Sequence, residues 1–388
     1  MKRFSLIVLI AGALTAVAPL PSAFAATAAA GPGWHVADTF GASYGNPQLT
    51  GGVAVSTRDA WVEGYLYQFQ NGLFLLHWNG SRWSPVAVPK VVANVPSASV
   101  GPGPIVPAAG QLWTFPTIWA STNRVYAARL AAGHWVTWQL RGALRIDGAA
   151  AFGASDVWAF GEALLPKGWS GLANGPSYAE HFNGRRWTRV KLPGVPLIVQ
   201  PVASSDIWAY GPTNRTAEAA NQQFIAMHWN GRRWSTLQVP RLRARNGKLM
   251  WPDSFAVSGG KLWVTEEFHC PTPGSCEPAQ PPGIILARWN GHRWVTVLDS
   301  LQYQVPQAEP DGNGGLWITT YTASNATWVA LHYAHGRFAG TRLPAVSGGS
   351  YFNVSSPIPV PGSAAAWGTA EVSPVSGQPT AVIFRYVP

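Results

Sequence analysis

Short stretches of alternating apolar and polar residues run along this chain, each broken after a few positions by glycine, proline, serine or asparagine. Residues 149–153, 157–161, 178–182 and 187–192 form one such succession. Alternation with a period of two over four to eight residues predicts half-buried β-strands. A turn on Ser155-Asp156 separates the first two stretches, and Asn183-Gly184 separates the last two. Asn-Gly between alternating stretches predicts a two-residue hairpin, because a type I′ turn needs positive φ at both central residues. The succession therefore predicts four antiparallel strands, A to D in chain order.

The succession recurs with a period near 50 residues. Asp156-Val-Trp158-Ala-Phe-Gly161 is echoed by Asp206-Ile-Trp208-Ala-Tyr-Gly211 and Asp59-Ala-Trp61-Val-Glu-Gly64, with looser copies at Trp113, Trp263, Trp317 and Trp367. A second ladder reads His77-Trp-Asn-Gly80-Ser-Arg-Trp83, His181-Phe-Asn-Gly184-Arg-Arg-Trp187, His228-Trp-Asn-Gly231-Arg-Arg-Trp234 and Arg288-Trp-Asn-Gly291-His-Arg-Trp294. Repeats of four strands read as blades, since radial repetition leaves only short sheet edges. After Trp367 the chain offers a strand C at 381–386 and no strand D, while Gly33-Trp34 matches a strand D with nothing before it. The expectation is an all-β, seven-bladed β-propeller whose last blade is closed by the N-terminal strand.

These units resemble a bacterial secreted β-propeller repeat family built of Ser-x-x-Asp-Val-Trp-Ala-x-Gly and His-Trp-Asn-Gly-x-x-Trp, and are similar in blade size to kelch and WD-type repeats. The resemblance covers nearly the whole chain after the leader. It implies a fold and an extracellular address, and it implies no activity. The sialidase Asp-box is only distantly similar, because its Gly and Thr are missing.

Composition narrows the picture. Hydrophobic residues make up 47% and charged residues 11%, against about 25% charged in an ordinary soluble domain. That argues against disorder and coiled coil, and 41 glycines with 33 prolines leave little room for long helices. Lys2 and Arg3, an apolar run to Leu20 and Ala23-Phe24-Ala25 read as a signal peptide over residues 1–25. Residues 26–388 are then one secreted domain of net charge +8, with no transmembrane segment and a monomeric state expected. Cys270 and Cys276 flank a Pro-rich insert and read as a disulfide that closes a short loop.

Connectivity puts the short A–B and C–D turns on one face and the longer, variable B–C and D–A connections on the other. Function is carried by loops on rigid scaffolds, so the variable face is the expected site. Trp119, Trp169 and Trp251 fall there as stacking platforms for a sugar or another flat ligand. Asp147, Glu162, Asp253, Glu267 and Glu371 gather where strands B emerge and strands A enter. Two of them at suitable spacing would serve a glycoside hydrolase or lyase, or would hold a calcium ion. Asp59, Asp156 and Asp206 recur in A–B turns, where a short carboxylate bonds the backbone two residues on. The strand C series His77, Arg129, His181, His228, Arg288, His332 and Arg385 suggests packing on tryptophan faces, since arginine does not ligate a cation. Arg82, Arg185, Arg186, Arg232, Arg233, Arg293 and Arg337 fall at C–D turns and read first as a solubilising rim, and otherwise as a basic face for an anionic glycan, envelope or surface partner. No phosphate loop, zinc motif or nucleophile triad is present, so neither metal nor cofactor is expected. The reading is a secreted, non-catalytic binding scaffold for a glycan, an envelope polymer or an extracellular protein, with nucleic acid disfavoured; the alternative is the glycan-active enzyme.

Overall fold

Seven antiparallel sheets stand in a ring, each with its strand A innermost and B, C and D following outwards. The computed structural model describes residues 31–388 except 45–46, 67–72, 94, 96–99, 102, 104, 109, 119–123, 164–175, 215–222, 244–250, 268–282, 323–326, 347–348 and 375–378. Blade one is Pro47–Ser56, Asp59–Leu66, Leu73–Trp78 and Trp83–Val86. Blade two splits strand A into Val100–Gly101 and Ile105–Ala108 and strand B into Gln111–Thr114 and Thr117–Ile118, followed by Arg124–Ala131 and His134–Leu140. Blade three is Ala143–Gly153, Asp156–Ala163, Ser177–Phe182 and Trp187–Lys191. Blade four is Ile198–Ala203, Asp206–Pro212, Phe224–Trp229 and Trp234–Val239.

Blade five is Trp251–Ser258, Lys261–Glu267, Ile284–Trp289 and Trp294–Ser300. Blade six is Tyr303–Pro310, Leu316–Thr322, Thr327–Ala334 and Arg337–Arg342. Blade seven takes Gly349–Phe352 and Ile358–Pro359 as strand A, Ala366–Pro374 as B and Thr380–Val387 as C. Its strand D is Gly33–Phe40, paired antiparallel to strand C from Gly33↔Val387 to Phe40↔Ala381. Strands A of neighbouring blades touch all round the ring, with blade seven against blade one.

The blade tryptophans hold the ring together by reaching across seams. Trp158 meets Trp229 of blade four at 5.3 Å between ring centroids, and Trp113 meets Phe182 of blade three at 5.5 Å. Trp317 meets Tyr386 at 4.7 Å and Trp34 at 5.7 Å, so the N-terminal strand is stitched by packing as well as by its ladder. Such aromatic pairs contribute roughly 0.5–1.5 kcal/mol beyond the burial of their area. Trp113, Trp263, Trp317 and Trp367 are almost wholly buried. The glycine three residues after the tryptophan has a steric cause. A Cβ on Gly161 would lie 2.0 Å from the carbonyl oxygen of Arg145, and one on Gly211 would lie 2.0 Å from that of Val195.

Two details depart from expectation. Strand A of blade three begins at Ala143 rather than at 149, because bulges between Ala143 and Arg145 and between Ile146 and Gly148 carry the ladder past Asp147. The Asn-Gly turns are also not type I′. Gly184 has φ +88°, but Asn183 is not in the positive-φ region. Instead Asn183 Oδ1 accepts backbone N–H groups from Arg185 and Arg186, both at 3.1 Å, which makes a four-residue loop. Asn79, Asn230 and Asn290 do the same in their blades. Among the C–D turns, positive φ at two successive residues occurs at Ala132-Gly133 and His335-Gly336, where the loop has two residues and no asparagine is present to supply an acceptor.

Candidate functional site

The recurring Asp, His and Trp build one structural device per blade. His77, His181, His228 and His332 lie flat on the blade tryptophan at 4.0–4.2 Å between centroids. Each presents Nε2 to a turn carboxylate, of Asp59, Asp156, Asp206 or Asp311, at 2.9 Å. A carboxylate only accepts, so Nε2–H donates. The carboxylate thus turns to strand C; Asp311 alone also takes the predicted backbone bond, from Asn313 N–H at 2.7 Å. In the other three blades the turn offers Gln111, Lys261 or Ala365 at this place. There strand C carries Arg129, Arg288 or Arg385, with the guanidinium 5.3–5.7 Å from the tryptophan centroid. Histidine goes with a turn carboxylate and arginine with its absence, because an imidazole needs orienting whereas a guanidinium is held by the ring itself. This pairing was present in the sequence, but only the register shows which turn residue meets which strand C residue.

The five candidate carboxylates fall into separate groups. In blade three, Arg145 lies between Asp147 and Glu162, with Nε 2.8 Å from Asp147 Oδ1 and an Nη donating to Glu162 Oε1 at 3.3 Å. Glu162 is fully buried, not a solvated loop acid. Blade five repeats the backbone of this arrangement without its cation. Asp253 occupies the same strand A bulge as Asp147, and Glu267 pairs in register with Trp251, as Glu162 does with Arg145. Burial, with the charge of Glu267 adding to it, pushes Asp253 up to about 7. In blade seven Glu371 is buried and accepts from Asn353 Nδ2 at 3.1 Å; burial raises it also. The five acids thus lie on three blades, as two same-blade pairs and one single residue.

Other acids inside the strands escaped the sequence reading, because no repeated motif marks their positions. Glu63 accepts from Thr114 Oγ1 at 2.5 Å and Gly103 N–H at 3.2 Å, and burial lifts it to about 7. Glu266 accepts from Leu242 N–H at 2.8 Å and rises to about 8 for the same reason. Glu309 of blade six accepts from Gln200 Nε2 of blade four at 3.3 Å, passing the inner strand of blade five. Among the described residues no group of three or more His, Cys, Asp or Glu is placed to hold a metal ion.

Trp119, Trp169, Cys270 and Cys276 lie outside the described residues, and Trp251 is described only in its backbone as the first residue of its strand. Among the described residues no helix is long and apolar enough to cross a membrane.

No protein-family model matches this sequence, and no curated protein matches it significantly. Solved structures do match. The β-propeller domain of the Trilobed protease from Pyrococcus furiosus aligns with a TM-score of 0.52 at 9% identity, over 88% of this chain and 95% of that one. A prolyl endopeptidase aligns with a TM-score of 0.57 at 8% identity, over 87% of this chain and 50% of that one. The SapL1 lectin, solved with α-methyl fucoside, aligns with a TM-score of 0.42 at 12% identity, over 78% of this chain and 98% of that one. At these identities the likeness is one of fold, and the fold is a seven-bladed propeller closed by its N-terminal strand.

Proposed function

We propose that this protein is a secreted binding scaffold that holds a glycan, an envelope polymer or another extracellular protein on its variable-loop face and does not transform it. The supporting observation is Arg145, which lies 2.8 Å from Asp147 and 3.3 Å from Glu162. Acid–base cleavage of a glycosidic bond needs two carboxyls open to the bond between them, and in blade three the guanidinium takes that place. Export rests on residues 1–25 and the tryptophan platform on Trp119, Trp169 and Trp251. Glycan-array binding of residues 26–388, beside a variant with those three tryptophans changed to alanine, tests the reading. Binding that the variant loses supports it, and binding by neither protein overturns the glycan form of it.

A second reading rests on Asp253 and Glu267, which share a blade and repel one another. Asp253, raised by burial and by the neighbouring charge of Glu267, stands beside a second carboxylate, and a glycosidase uses two carboxyls whose environments differ. Turnover of a bound oligosaccharide that Asp253→Asn abolishes would establish it; binding without turnover would remove it.

A further inference from the structure

The opposite face, where the short turns lie, contains a cleft that the repeat pattern does not announce. Five of the seven blade tryptophans are buried, and Trp208 is one of two that are not. The other, Trp61, faces a blade with Leu130 rather than an aromatic residue at the strand C position. Trp208 faces a blade with both aromatics, yet among the described residues its ring partner is its own His228. Trp289 and Trp294 of blade five pair with each other at 5.6 Å, as Trp229 and Trp234 do at 5.7 Å, but the latter two also reach Trp158. The seam between blades four and five is left as a cleft of about 630 Å³. Its walls include Trp208, His228 and Trp289, and its polar groups include Asp206, Asn290 and Lys261.

The backbone supplies a reason. In blades one, three and four a bulge precedes the A–B turn, between Ala54 and Ser56, Ala151 and Gly153, and Pro201 and Ala203. In blade five the ladder runs unbroken from Ser254↔Thr265 to Ser258↔Lys261 and turns on Gly259-Gly260, both at positive φ. Blade five therefore offers two glycines at this end of the seam, where those blades offer a bulged apolar residue. Val202 on the facing blade stays 52% exposed.

The charge on this face is a separate observation. Its acids Asp59, Asp156, Asp206 and Asp311 are each held by a histidine. Its cations are not neutralised: Arg185, Arg186, Arg232, Arg233, Lys261 and Arg293 are exposed and make no ion pair among the described residues. The C–D turn that gives Asn290 and Gly291 to the cleft continues into His292 and Arg293.

We propose that the cleft between blades four and five binds a sugar ring of an acidic polysaccharide, and that the surrounding turn arginines hold the flanking acidic groups of the same chain. The apolar face of a pyranose lies against the rings of Trp208 and Trp289, and its hydroxyls reach the Asp206 carboxylate and the Asn290 carboxamide. Clefts of about 300–1,000 Å³ with aromatic walls and a few polar groups are of the size that takes such ligands. Asp206 inside the cleft favours hydroxyl donors over a phosphodiester backbone, which separates this ligand from nucleic acid. The site is distinct from the variable-loop face and stands or falls independently of it.

Calorimetry with a chondroitin sulfate hexasaccharide, maltohexaose and an oligothymidylate of matched charge tests the proposal on the full protein. The acidic hexasaccharide binds, and its affinity falls about tenfold as salt rises from low to physiological levels and above. Trp289→Ala weakens it about tenfold, the scale of one lost aromatic contact. The exposed pair Lys261→Glu with Arg293→Glu weakens it to a similar extent without altering the thermal melt, so loss of folding is not the cause. Asp253→Asn with Glu267→Gln leaves it unchanged. Absence of hexasaccharide binding, equal binding by the cleft variants, equally tight binding of maltohexaose or of the oligothymidylate, or loss confined to the Asp253 and Glu267 variant would each overturn the proposal.

Discussion

His181 donates from Nε2 to Asp156 Oδ1 at 2.9 Å while its ring lies on Trp158, 4.2 Å between centroids. Removing the acceptor leaves a part-exposed imidazole stacked but unoriented. Asp156→Ala is expected to destabilise the fold by about 1 kcal/mol, the net value of a typical hydrogen bond. The second change His181→Arg should recover most of that loss, since Arg129 with Gln111, Arg288 with Lys261 and Arg385 with Ala365 show arginine in place without the acid. Urea unfolding of the single and double variants measures both.

Glu162 is buried with Arg145 donating to it. Arg145→Met withdraws that cation from two carboxylates together. The cost should be about 3 kcal/mol, as for other buried pairs broken from one side. Adding Glu162→Gln to Arg145→Met should return part of it, because a neutral amide tolerates burial better than a carboxylate that has lost its cation. A double-mutant cycle in denaturant reads the coupling.

Gly161→Ala forces a Cβ to within 2.0 Å of a backbone oxygen that no side-chain rotation relieves. A loss of about 3 kcal/mol or more is expected from the backbone shift. Gly133→Ala is the control, since a Cβ there meets nothing within 4 Å. Its cost is confined to the positive φ, roughly 1 kcal/mol. Thermal melts that rank the two equally would contradict this account.

Stability should fall as pH rises from about 4.5 to about 8. Glu63 and Glu309 are raised to about 7 and Glu266 to about 8, each chiefly by burial, from an ordinary 4.5. A carboxyl with a folded-state value above its unfolded one binds its proton more tightly in the fold. The folded state then carries more protons between the two values, and the slope of stability with pH is negative there. The melting temperature should be higher at pH 5 than at pH 8. Glu309→Gln and Glu266→Gln should each flatten the profile.

The blade count, the strand order and the closing strand were legible because each rests on a local pattern that repeats. Trp158 announces its strand through alternation and its turn through Ser155-Asp156. What was not legible depends on partners far apart in the chain. Gln200 and Glu309 look like solvated residues until the ring brings blades four and six together. Asp147 and Asp253 sit on bulges, and a bulge leaves no mark in hydrophobic periodicity. The same holds for the open seam at Trp208, where the informative feature is a bulge that blade five lacks. Asn183-Gly184 misled in a specific way, because an asparagine that can adopt left-handed backbone can also accept two backbone N–H groups.

The pairing of Phe40 with Ala381 also sets an order in time. Gly33–Phe40 finds its hydrogen-bonding partner only when Thr380–Val387 has been made. Six blades can form their own hairpins as they appear, yet the ring has an open edge at blade seven until that later strand emerges. Closure of the ring is therefore a late event in synthesis, and strand D of blade seven waits with its backbone groups unpaired by the sheet while all six other blades are made.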